Sequence, residues 1–82
     1  MNHIKKAASL VTQVSIAESC GVSGGAVGSW ISKGRLPLTE VESGLYKKKT
    51  NYAEVIERLT NGEVTKEQLH QDIYDHYSKR AA

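Results

Sequence analysis

QVSIAESCGVSGGAVGSWIS, residues 13–32, is the stretch that decides the fold. Ile16, Ala17 and Cys20 form one apolar set at helical spacing, and Ala26, Val27, Trp30 and Ile31 form another. Between them lie Gly21, which accepts positive φ and so ends the first helix, and Ser23, whose hydroxyl can cap the next. Ala17 is small where two helices must approach closely. Val22 and Val27 plug the angle between them, and Trp30 caps the core beneath. A pair of helices crossing near-perpendicularly through a turn of about three or four residues makes these demands. The second helix of the pair stops at Gly34, and Pro37 prevents its continuation.

Working outward, Asn2 can cap a helix that buries Ile4, Ala7, Ala8 and Val11. The next helix runs from about Val14 to Cys20. On the other side, residues 38–51 (LTEVESGLYKKKTN) hold a turn signal at Ser43-Gly44. Leu38–Glu42 and Leu45–Lys49 are expected to pair across it as a short β-hairpin, with a helix starting at Glu40 as the rival reading. From Asn51, a potential cap, Ala53, Ile56 and Leu59 share a helical face that ends at Asn61-Gly62. Thr65 and Gln68 have the spacing of a capping box, so a last short helix carries Leu69 and Ile73, and the tail from Ser78 frays. The chain therefore reads as one mainly α domain, 1–82, of about five helices. Its helix-turn-helix core spans 13–32, a short hairpin follows the third helix, and a helical C-terminal region spans 51–77.

Eighty-two residues with no Phe and a single Trp allow one small core. The lone Cys20 cannot form an internal disulfide, which fits a reducing cytosol. No apolar run approaches the ~20 residues needed to span a bilayer, and the N-terminus is too polar for a signal peptide. A cytoplasmic protein is expected. Charge is uneven: residues 1–52 hold seven Lys/Arg against three Asp/Glu, and residues 53–82 hold four against six. A basic front and an acidic back suggest an anionic partner for the front, although an ordinary solvated surface can show the same imbalance.

On Ala17, the Cys20–Ser23 turn, Ala26–Trp30, Lys33–Pro37 and Thr50–Leu69, the chain resembles the Cro-type helix-turn-helix proteins. Within them it resembles the Cro-like group that includes the YdaS antitoxin-type regulators of prophages. The GEVTKEQL tail, Gly62–Leu69, adds weight to that subgroup. The resemblance implies a double-stranded DNA operator as partner, the third helix in the major groove, a homodimer and transcriptional repression. The stretch from Val41 to Lys49 exceeds the short link such proteins have there, so the resemblance implies nothing for it. A protein-binding antitoxin, with residues 53–82 as the surface that neutralises a toxin, is the alternative from another class.

The third helix keeps its outer face bare. Ser23, Gly24, Gly25, Gly28, Ser29 and Ser32 are its expected exposed positions. An interior helical Gly costs ~0.8–1 kcal/mol relative to Ala. Either the glycines let the backbone approach phosphates and base edges, aided by the free N–H groups at the helix start, or they relieve crowding against the preceding helix. Because that face has no Arg, Asn or Gln to make bidentate base contacts, specificity per half-site is expected to be modest. Lys33 and Arg35 lie just past the helix. Gln13 could bond a phosphate, as the resemblance implies for that position. Lys47, Lys48 and Lys49 add either phosphate charge or merely a solvated face.

Other features point to packing. Trp30 is expected in the core, and Cys20 is expected to be buried and inert. His3, His70 and His76 are expected on the surface, with no metal-ligand spacing. Ile73, Tyr74 and Tyr77 either pack on the core or form a dimer contact. No set of residues suggests catalysis, a metal or a cofactor, so the chain is expected not to be an enzyme.

Overall fold

The structure, a computed structural model, describes residues 2–41 and 47–81, with side chains as far as His76. Its elements are α1 (His3–Val11), α2 (Gln13–Cys20), α3 (Gly24–Lys33), α4 (Tyr52–Leu59) and α5 (Lys66–Ala81), with a 3₁₀ turn at Leu38–Glu40. The architecture is a small all-α domain, as the periodicity predicts. Among the described residues no helix is long and apolar enough to cross a membrane.

The caps set the helix boundaries. Asn2 accepts from Lys5 N at 2.9 Å and opens α1, while its amide nitrogen donates to Ile31 O at 2.8 Å and ties that start to the end of α3. α2 follows at once, because Thr12 adopts φ 76° and its Oγ1 accepts from Ser15 N at 3.2 Å. Positive φ is rare for a β-branched residue, so this corner is not legible from propensity. Gly21 and Gly34 close α2 and α3 in the left-handed region, at φ 70° and 78°. Ser23 Oγ accepts from Ala26 N at 3.1 Å. The capping box of α5 is reciprocal: Thr65 N donates to Gln68 Oε1 at 3.0 Å, and Gln68 N to Thr65 Oγ1 at 3.2 Å. α5 is longer than the short helix expected, continuing to Ala81.

Every helix feeds one core. Ile4 and Ala7 of α1, Ile16 of α2, Val27 of α3, Ile56 of α4 and Leu69 of α5 are fully buried. Trp30 is also buried, its ring tilted by 32° against Tyr52 with centroids 4.9 Å apart. The α2–α3 pair is thus backed by α1, which packs on both helices, and by α4, which packs on α2 and meets Trp30 through Tyr52.

Three readings need correction. Leu38–Glu40 is a 3₁₀ turn rather than a strand, and Lys47–Thr50 form no regular element. Ser43-Gly44 lies outside the described residues. The two arms nevertheless meet, since Lys49 N and Thr50 N both donate to Thr39 O, at 2.7 and 3.2 Å. Pairing as strands is displaced because Glu40 turns fully inward and serves α4 instead. Asn51 stands at the start of α4 but its side chain caps nothing. The carboxylate of Glu40 accepts from Tyr52 N at 2.8 Å, from Ala53 N at 2.7 Å and from the Thr50 hydroxyl. Finally, His3 is not a surface residue. Its Nδ1 lies 2.8 Å from Asp72 Oδ2, its backbone N donates to the same oxygen at 3.0 Å, and Asp72 is buried. This pair fastens α1 to α5. His70 is half-buried, and burial holds its imidazole below the ordinary range.

Candidate nucleic-acid interface

The candidate interface is the outer surface of α3 with the start of α2. Ser23, Gly24, Gly25, Ser29, Ser32 and Lys33 are all exposed, as expected. Ser23 satisfies Ala26 N, so the amides of Gly24 and Gly25 stand at the open start of the helix, before its first internal bond. A Cβ at Gly24 would meet nothing within 4 Å, and one at Gly25 only Ser23 Oγ at 3.8 Å. The fold therefore has room for side chains at both positions.

Gly28 is different. It is half-buried, and a Cβ there would come within 3.1 Å of Gln13 Nε2. That nitrogen donates to Gly24 O at 2.8 Å. Gln13 thus bridges the first turn of α2 to the first turn of α3, and Gly28 leaves space for the bridge. Of the two readings of the bare face, close packing accounts for Gly28, while Gly24 and Gly25 have no packing reason to be bare.

The remaining basic residues divide. Arg35 is half-buried, with Nη1 3.4 Å from Leu36 O. Lys48 is bonded to Glu54 Oε1 at 3.1 Å, and this ion pair holds the Glu54 carboxyl below its usual range. Lys47 and Lys49 are exposed. Contacts from this lysine run lead to Thr39 and to α4, and the described contacts place none of it against α3.

Leu10, Val14 and Tyr74 are exposed apolar side chains that the sequence reading either did not single out or left open. Ile73 is fully buried and so is removed from any surface, while the Tyr77 side chain lies outside the described residues. Among the described residues, no group of three His, Cys, Asp or Glu side chains could hold a metal ion.

Cys20 is half-buried behind this surface, and burial, reinforced by the Glu40 carboxylate, pushes its thiol up to about 11. A raised thiol value means that the native state holds its proton longer than the unfolded chain. The associated stability is complete below about pH 9 and is lost as pH rises toward about 11. Thiolate is the reactive form, so at pH 8 alkylation of the native chain should run roughly a hundredfold slower than in urea. Equal rates by mass spectrometry would show that Cys20 is neither shielded nor shifted.

No protein-family model, no curated protein and no solved structure matches this chain in the comparisons made.

Proposed function

We propose that this protein is a DNA-binding transcriptional regulator of the Cro-like, YdaS-type helix-turn-helix class. It inserts α3 into the major groove of an operator as a homodimer, and it represses by occupying the promoter. The observation that carries the reading is the opening of α3. Gly24 and Gly25 are exposed, have space around them and leave backbone amides uncovered where a groove-binding helix meets phosphates and base edges. Ser29, Ser32 and Lys33 continue the same outer surface. The protein acts in the cytoplasm and has no catalytic role. The competing antitoxin reading draws on the acidic C-terminal half, but Asp72 is spent on His3 and Glu54 on Lys48.

The test is selection from a random duplex library, followed by binding of the winner and a scrambled duplex across a salt series. A palindrome with half-sites about 10 base pairs apart is expected. Gly24→Glu is the decisive variant. An acidic side chain in the first turn suits the helix dipole, so folding is kept. Set against phosphates, the same charge should cost several kcal/mol, a loss of about a hundredfold or more in affinity. If both duplexes bind equally, weakly and only at low salt, α3 is not a groove reader. Copurification with a protein partner, resistant to nuclease, then makes the antitoxin reading the better one.

A further inference from the structure

The lysine run does not act as a block. Exposure alternates along it: Lys47 and Lys49 face solvent, whereas Lys48 is half-buried against Glu54. Alternation with period two is what an extended segment gives. The segment is pinned at its C-terminal end: Thr39 O receives Lys49 N and Thr50 N, Thr39 and Thr50 hydroxyls lie 3.2 Å apart, and Thr50 reaches the buried Glu40. Lys47 and Lys49 then flank a shallow depression with Leu38 and Thr39 in its lining. Two exposed lysines thus border one depression, and the described residues place no carboxylate in its lining.

We propose that Lys47 and Lys49 form a backbone clamp for the phosphodiester of the bound duplex, and that Lys48 takes no part in it. The inference rests on the DNA-binding reading and sharpens it. Lysine ammonium groups act as point charges on phosphate, without the planar fork that favours paired carboxylate recognition. Because the segment is tied to the 3₁₀ turn and to α4, little ordering is needed when the clamp closes on a phosphate. Glu40 and Thr50 act here as positioning residues, through the bonds that hold Thr39 against Lys49 and Thr50.

The experiment measures duplex affinity against salt for the wild type, Lys48→Ala and the double variant Lys47→Ala/Lys49→Ala. Each phosphate contact contributes about 0.9 to the log–log slope, so the double variant should lose about 1.8. Its affinity should fall on the order of a hundredfold near 50 mM salt, and by less as salt rises. Lys48→Ala should keep the wild-type slope, and Lys47→Arg/Lys49→Arg should restore it. Circular dichroism melts check that the variants stay folded. A double variant with the wild-type slope overturns the clamp and leaves the groove reading standing, as does a Lys48→Ala variant that loses as much as the double. A wild-type chain that binds no duplex overturns both. A double variant that binds duplex normally but loses an acidic protein partner assigns the pair to protein contact instead.

Discussion

Trp30→Ala should remove a large part of the stability that holds this fold. Trp30 is the largest side chain in the core, buried at the junction of α3 with α4 and packed on Tyr52 at a centroid distance of 4.9 Å. Removing a buried Trp costs ~3–5 kcal/mol through lost transfer energy and the cavity left behind. A chain of this size has a net stability of only about 4–12 kcal/mol. For a domain of this length each kcal/mol lowers Tm by ~4–8 °C, so a drop of roughly 15 °C or more is expected.

Circular dichroism at 222 nm is the right readout, because the variant removes the only tryptophan and with it the intrinsic fluorescence probe. Trp30→Phe keeps a ring against Tyr52 and should cost clearly less. If the two variants melt together, the loss comes from a property of the indole that a phenyl ring does not supply. If Trp30→Ala melts like the wild type, the α3–α4 junction is not where the fold is held. On the proposed reading the effect reaches function through orientation, because Trp30 helps to hold α3 through its contact with Tyr52.

Most of this fold is legible in the sequence because its boundaries are set by local chemistry. As caps, Asn2, Gly21, Ser23, Gly34 and the Thr65–Gln68 pair each act on backbone groups within about one helical turn of themselves, as their residue types predict. The failures are all non-local or conformationally costly. Thr12 holds a positive φ that its side chain disfavours, and only packing of α1 on α2 can impose it. His3 reaches Asp72 across 69 residues, so no window of sequence shows that either is buried. The Gly28 space is needed by Gln13, a contact between two helices rather than a property of one. The candidate interface divides in the same way. The exposure of Gly24, Gly25, Ser29 and Ser32 follows from helical period, whereas the division of the lysine run between Glu54 and solvent needs the tertiary structure.

Glu40 is the clearest case of a residue hidden from sequence reading, and its removal is the second large effect expected. Sequence alone offers Asn51 as the cap of α4, at the standard position with a standard capping side chain. The helix instead takes its cap from a carboxylate 12 residues earlier in the chain, which accepts Tyr52 N, Ala53 N and the Thr50 hydroxyl from a fully buried position. Glu40→Ala leaves those three donors without their acceptor. Each buried donor left unpaired costs ~1–3 kcal/mol, and water entering the cavity recovers part of that, so a net loss of about 3–5 kcal/mol is expected. Glu40→Gln keeps one carbonyl oxygen for the helix start but removes the charge and one acceptor. It should fall between the wild type and Glu40→Ala in urea denaturation, with the m-value unchanged. It should also lower the Cys20 thiol value only slightly, since burial is the larger cause of that shift. A Glu40→Ala chain as stable as the wild type would mean that Asn51 can take over the cap. If Glu40→Gln is as damaging as Glu40→Ala, the negative charge itself holds the start of α4. The same variants bear on binding. Loosening Thr50 frees the segment that carries Lys49, so under the proposed clamp Glu40→Gln, at a temperature where it is fully folded, should weaken duplex affinity without touching α3.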